Sequence, residues 1–281
     1  MSAKEKITRA TLAARKRAGR KFAVLTCYDF GMAQMQAEAG VECLLVGDSA
    51  AQVILGHPST LPATMDFMLT LAASVRRGAP FAYLIGDMPY LSFGVTRAET
   101  IRNAGRFMSE GGCDAVKIEG DGRMADTIAS LAALGIPVVA HLGLRPQSVH
   151  LAGGYRAVGR DAASARRLID DARRVADAGA CMILLEAVAQ EAAKIITRDT
   201  PLPVIGCGAG PHCDAHVVVV NDLLGLTAGP RPRFVKTYGD LRPRIVAAMS
   251  QYGSDVASGA YPGAEHGYAM EPGEAEKLSD G

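Results

Sequence analysis

The sequence predicts an α/β fold, a (β/α)8 TIM barrel with one extra N-terminal helix. Three observations carry this. Short apolar runs alternate with helix-length stretches almost to the chain end, and about 200 residues of such alternation suit a barrel of typical size. The runs are apolar throughout, as strands covered on both faces are. No Gly-x-Gly-x-x-Gly follows the first run, which argues against an open dinucleotide-binding sheet.

Taken in order, residues 1–21 read as one amphipathic helix packed on the outside of the barrel. Its basic run, Arg15-Lys16-Arg17 to Arg20-Lys21, reads as the solvated end of that helix rather than a nucleic-acid patch. The barrel spans 22–252. Its strands are expected at 22–27, 43–47, 81–86, 115–119, 137–141, 182–186, 203–207 and 223–227. Helices are expected at 31–40, 64–78, 96–111, 123–134, 161–179 and 189–199, several ending on a glycine that tolerates the left-handed turn of a C-cap. The segment GCGAGPHCDAHVVVV reads as strand, glycine turn, then helix. From Gly253 a tail (253–281) is rich in Gly, Pro and charge, and its last dozen residues are expected to be disordered.

The composition narrows the function. A chain of 281 residues holds one large domain or two small ones. A net charge of +1 gives no pull toward nucleic acid or an anionic membrane. The N-terminus lacks the apolar core of a signal peptide, and no run approaches the ~18 apolar residues of a membrane span. A cytoplasmic protein acting on small molecules is expected. The six cysteines lie scattered in apolar runs without a CxxC pair and read as reduced, buried small hydrophobes. Cys207, His212, Cys213 and His216 cluster in sequence, but not at zinc-finger spacing.

The chemistry sits where the strands end. Strand one runs into Tyr28-Asp29, strand two into Asp48-Ser49 and strand three into Asp87. Strand four carries Lys117 and Glu119, two apart and so on one face. Strand five ends on His141 and strand six on Glu186. In a barrel these converge on the carboxyl-end mouth, where catalytic residues are placed. Magnesium prefers octahedral oxygen ligands and takes only one or two carboxylates from a protein. Asp48 and Asp87 suit that role, with Glu119 as a further ligand or as the holder of a metal-bound water. Substrate oxygens, ideally the 1,2-pair of a 2-oxo acid, would fill the remaining positions. Lys117 would neutralise the substrate carboxylate or a developing enolate. Glu186, alone at the end of MILLE, would be desolvated and so a better general base near neutral pH. His141 and Tyr28 would support these groups from behind.

Each residue alone has a plainer reading. An Asp or Ser at a strand end can cap a helix, Lys117 and Glu119 can form a simple ion pair, and His141 can be a satisfied core histidine. GCGAG can be a phosphate loop or a tight strand-to-helix turn. Four acids and a lysine together favour the functional reading.

At these residues the sequence resembles the 3-methyl-2-oxobutanoate (ketopantoate) hydroxymethyltransferase family. The matching segments include LTCYD, LLVGDS, LGHPSTLPAT, GDMPY, AVKIEG, IPVVAHLGLRPQS, GGYRAVGR, ILLEAV, PVIGCGAG, NDLLGLTAG and SGAYPGAEH, in the family's order over nearly the whole chain. The resemblance implies a TIM-barrel enzyme of pantothenate biosynthesis that uses magnesium. It would transfer a one-carbon unit from 5,10-methylenetetrahydrofolate to 3-methyl-2-oxobutanoate, giving 2-dehydropantoate. By the same resemblance Asp48 and Asp87 bind magnesium with Glu119 as an associated carboxylate. Asp48, Ser49, Asp87 and Lys117 contact the oxo acid, Glu186 accepts the proton, and the chain forms a homo-oligomer, often a decamer.

The chain departs from the family pattern at Ala50-Ala51-Gln52, Pro58, Asn221 and Ala215-His216, none of which is assigned to metal, oxo acid or base. The alternatives are a lyase or mutase of the isocitrate lyase and phosphoenolpyruvate mutase type, whose Lys-Cys-Gly-His motif is missing here, and a non-catalytic metabolite-binding barrel.

Overall fold

The structure, a computed structural model, describes residues 5–229 and 231–278. The elements run α1 (Arg9–Arg17), β1 (Phe22–Thr26), α2 (Phe30–Glu38), β2 (Cys43–Val46), α3 (Ala50–Val53), α4 (Met65–Gly78), β3 (Tyr83–Asp87), α5 (Arg97–Ser109) and β4 (Ala115–Glu119). They continue with α6 (Ala125–Ala133), β5 (Val138–Gly143), α7 (Val149–Ala152), α8 (Ala162–Asp177), β6 (Met182–Glu186), α9 (Gln190–Asp199), β7 (Val204–Cys207), β8 (Ala215–Val218), α10 (Val220–Leu223) and α11 (Leu241–Ser258). The eight strands close in order into a parallel barrel, β1 pairing with both β2 and β8. Helix starts follow local chemistry: the side chains of Asp29, Thr64, Thr96 and Asp161 accept hydrogen bonds from backbone N–H groups that α2, α4, α5 and α8 leave unpaired.

Alternation along each strand divides the apolar residues into two cores. Val24, Leu45, Ile85, Val139, Leu184, Ile205 and Val217 fill the lumen. Their neighbours Leu44, Leu84, Val138, Ile183 and Val204 face the helices. Both faces are dry, which is why the strands read as unbroken apolar runs.

One expectation needs correction, and the place of the N-terminal helix on the barrel becomes specific. That helix packs against the amino ends of the strands. Leu12 of α1 is fully buried within the lumen core. Lys6 pairs with Asp114 at 2.6 Å and Lys16 with Asp214 at 2.8 Å, both acids standing just before a strand, β4 and β8 respectively. Arg15 pairs with Glu42, just before β2. So α1 stoppers the amino-end mouth and leaves chemistry to the opposite end. Strand eight is not 223–227 but Ala215–Val218, inside the stretch read as a helix; residues 220–223 are helical instead. The run AHVVVV is rich in β-branched residues, which pack well on a pleated surface, and β7 reaches β8 through a turn without an intervening helix.

That missing helix, and the course of α11, leave the β8–β1 seam open. His216 and Ala23 on its outer face are exposed. Helix α11 runs past residue 252, the expected end of the barrel, and has no buried residue. Ile245, Met249, Tyr252 and Val256 form an exposed apolar stripe along it. Of the last dozen residues, expected to be disordered, 276–278 form a 3-10 turn and 279–281 lie outside the described residues.

Candidate active site

The carboxyl ends of β2 to β6 deliver the expected residues to one place. Asp48, Ser49, Asp87, Lys117, Glu119, His141 and Glu186 all line a single cavity of about 950 Å3. Register explains the pairing of neighbours: Asp87 sits opposite Lys117 across β3–β4, Glu119 opposite His141 across β4–β5, and Glu186 opposite Gly143 and Cys207. Tyr28 does not line the cavity. It is buried behind it, its hydroxyl 2.9 Å from that of Ser49. Ser49 therefore uses its side chain toward Tyr28 and makes no capping bond to α3.

Lys117 is the electrostatic centre. Its Nζ lies 2.6 Å from Asp87 Oδ1 and 4.0 Å from Glu119 Oε1, so the simple Lys117–Glu119 pair is replaced by a cross-strand pair with Asp87. Burial alone would lower the lysine pKa, but Asp87, Glu119 and Asp48 hold it above the ordinary value, so Lys117 stays charged. Burial pushes Asp87 well above the usual carboxylate range, against the opposing pull of Lys117. Burial likewise pushes Glu119 up to about 8.

His141 is held neutral, well below the ordinary imidazole value, by burial and then by Lys117. Its Nδ1 is 3.3 Å from Lys117 Nζ. An ammonium can only donate, so Nδ1 accepts and the ring proton resides on Nε2. Nε2 lies 3.4 Å from Glu186 Oε2. Burial pushes the Glu186 carboxyl up to about 7, again against Lys117. With 22 % of its side chain exposed, Glu186 is desolvated yet reachable from the cavity.

The backbone around Glu186 is tightly constrained. Its carbonyl accepts from Leu144 N–H at 2.9 Å. Gly143 beside it has φ +104°, and a Cβ there would fall 2.3 Å from the Glu186 carbonyl oxygen. Ala187, the next residue, is in the left-handed region at φ 47°, a conformation that costs a non-glycine residue free energy and is tolerated where the surroundings impose it.

The donor set fits a hard divalent cation. Glu119 Oε1 is buried without a hydrogen-bond partner, and Asp48 uses only Oδ2 in a hydrogen bond, from Gln147. Among the described residues no three His, Cys, Asp or Glu side chains sit close enough to hold one ion together. A cation that keeps most of its waters and takes one or two protein carboxylates does not need three. Of the two roles expected for Glu119, holding a metal-bound water suits this spacing.

Sequence reasoning missed Gln147. Its side-chain amide donates to Asp48 Oδ2 at 2.9 Å and to the Met88 carbonyl at 3.0 Å, while its backbone N–H donates to Glu119 Oε2 at 3.1 Å. One residue thus sets the spacing of two acids from different strands. A neutral amide after strand five carries no charge signal, so only its place in the segment LGLRPQS marked it. Thr60 was also missed; its hydroxyl is buried on the cavity wall without a partner.

The departures from the family pattern fall around rather than in the acid cluster. Gln52 of α3 donates to the Pro58 carbonyl at 3.4 Å. Asn221 lines the cavity, while His216 faces outward on β8 and Cys207 faces the cavity.

A family model described as ketopantoate hydroxymethyltransferase matches residues 6–264. A protein of Syntrophomonas wolfei named 3-methyl-2-oxobutanoate hydroxymethyltransferase is 41% identical over 273 residues, covering 97% of this chain and 99% of its own. One of Syntrophus aciditrophicus with the same name is 44% identical over 263 residues, covering 94% and 97%. Among solved structures, phosphonopyruvate hydrolase in complex with oxalate and Mg++ superposes with a TM-score of 0.60 at 13% identity, covering 98% of this chain and 96% of its own. 2,3-Dimethylmalate lyase, of the PEP mutase/isocitrate lyase superfamily, gives 0.57 at 19% identity, covering 97% of each chain. At those identities the solved structures speak for the barrel alone.

Proposed function

The chain belongs to the ketopantoate hydroxymethyltransferase family, and from that premise we propose that it transfers a one-carbon unit from 5,10-methylenetetrahydrofolate to 3-methyl-2-oxobutanoate, giving 2-dehydropantoate. Asp48 and Asp87, with Glu119 as an associated carboxylate, would hold magnesium, which would supply Lewis-acid polarisation of the 2-oxo group.

The chain's own residues do the rest. Lys117 offers its charge to the oxo-acid oxygens and to the negative charge that develops as C3 loses its proton. Ser49, fixed by Tyr28, adds a hydroxyl beside Asp48. Glu186 takes the C3 proton onto its carboxylate. His141 stands beside Glu186, its Nε2 3.4 Å from Glu186 Oε2 without a hydrogen bond between them, and packs behind the carboxylate. Over the reaction both C–N bonds of the donor's methylene carbon break. That carbon gains the C3 electron pair as a new C–C bond and the oxygen of water as its hydroxyl, and two protons, one from C3 by way of Glu186 and one from water, end on the two donor nitrogens.

The observation that carries this reading is the placing of Glu186: a reachable carboxylate with its pKa near 7, across the same cavity from the Lys117-centred acids. A base so poised is matched to abstracting a proton next to a carbonyl. Incubation with 3-methyl-2-oxobutanoate and the folate donor should yield 2-dehydropantoate only with a divalent cation added. Failure to form it under any cation would overturn the reading. The exposed apolar stripe of α11 supports self-association as well, since it is a surface that a second copy would cover. Among the described residues no helix is long and apolar enough to cross a membrane.

A further inference from the structure

The cavity lining combines a buried acid cluster with exposed basic side chains. The floor holds the acids and Lys117. The rim carries Arg156 and Arg233, which line the same cavity and have no hydrogen-bond or ion-pair partner among the described residues. Both stand on segments whose backbone is tied down. Two residues after Arg156, Val158 N–H donates to the Ala187 carbonyl at 2.8 Å and its carbonyl accepts from Ala189 N–H at 3.0 Å, just past the end of β6. Next to Arg233, Phe234 packs so tightly on Gly208 that a Cβ there would fall 2.6 Å from its ring. The third rim arginine, Arg242, is turned to the Leu226 carbonyl at 3.3 Å.

Size points the same way. Cavities of roughly 300–1,000 Å3 enclose drug-sized ligands, and about 950 Å3 is far more than a five-carbon oxo acid requires. The oxo acid's own carboxylate is served at the floor by Lys117. Two unpaired guanidinium forks at the mouth, over a floor already supplied with its cation, match a second ligand with carboxylates at its outer end.

Resting on the function proposed above, we propose that the rim is a carboxylate subsite in which Arg156 and Arg233 bind the glutamate tail of the folate donor. The donor's reactive end then points down toward Glu186 while its tail leaves through the mouth. Affinity for the donor therefore depends on tail charge and falls with salt.

The test is two-substrate kinetics on Arg156→Ala, Arg233→Ala and the double variant, with Arg160→Ala, exposed and not on the cavity wall, as the control. Both rim side chains are exposed and unpartnered, so the variants fold. Screened charge-assisted bonds predict a rise of about 3- to 10-fold in the donor KM for each single change. The KM for the oxo acid should not follow. Wild-type enzyme should prefer a triglutamyl donor over a monoglutamyl one, and the double variant should lose that preference. An unchanged donor KM in the double variant, or a retained preference for the longer tail, overturns the subsite. Equilibrium titration of tetrahydrofolate into the wild-type protein and the double variant reads the subsite without turnover. Equal affinity overturns it, whereas weaker binding to the variant in a protein that makes no product supports the subsite and removes only the reaction.

Discussion

The ammonium of Lys117 lies 2.6 Å from Asp87 Oδ1, directly across the β3–β4 register, and 4.0 Å from Glu119 Oε1 on its own strand. The cross-strand pair leaves Glu119 free to act elsewhere. It also ties the fate of a buried acid to the group expected to meet the substrate.

Lys117→Ala should therefore fail in two ways at once. Breaking a buried pair strands a charge and costs about 3–5 kcal/mol, read as a lowered melting temperature. Losing a charge-assisted hydrogen bond to the oxo acid should weaken its binding by about 10- to 100-fold. Calorimetric titration with 3-methyl-2-oxobutanoate at saturating magnesium checks the second loss. Wild-type affinity with a lowered melting temperature would leave Lys117 only its structural pairing.

Asp48→Ala and Asp87→Ala should each abolish magnesium binding in calorimetry and nearly all activity while the chain remains folded. Gln147→Leu should weaken magnesium binding less, because the amide that orients Asp48 goes but both carboxylates stay. Full magnesium affinity in Asp48→Ala or Asp87→Ala would refute that residue's assignment to the cation.

Much of this site was legible in the chain, and the reasons are physical. A dry parallel strand has little use for an acid, so Asp48, Asp87, Glu119 and Glu186 stood out against their apolar runs. What stayed hidden lacked such contrast. Strand eight follows a glycine turn that leads equally well into a helix. Leu12 is one leucine in a basic helix, and nothing local says it enters the lumen. Gln147 acts through two hydrogen bonds to carboxylates that only folding brings near.

The pKa of Glu186, pushed up to about 7 by burial, fixes the pH response. Below that value the carboxyl holds its proton and cannot accept another; above it the base is free. The quantity kcat/KM should thus rise with pH and level off above about 7, and a bound cation, favouring the ionised form, shifts the limb lower. A profile that falls with pH across this range would exclude Glu186 as the base.

Gly143→Ala should damage activity without touching any charged group. The new Cβ would meet the Glu186 carbonyl oxygen at 2.3 Å, and the left-handed φ adds strain. A misplacement of this kind can cost on the order of 10²-fold in rate. Retained turnover would mean that the base tolerates displacement or lies elsewhere.

The most direct test asks whether Glu186 removes the C3 proton. With magnesium and no folate, the protein should exchange the C3 proton of 3-methyl-2-oxobutanoate with solvent deuterium, followed by NMR. Glu186→Gln should slow this exchange by about 10²–10⁴-fold while oxo-acid binding persists. Exchange at the wild-type rate in Glu186→Gln would contradict the account and move the base to another group.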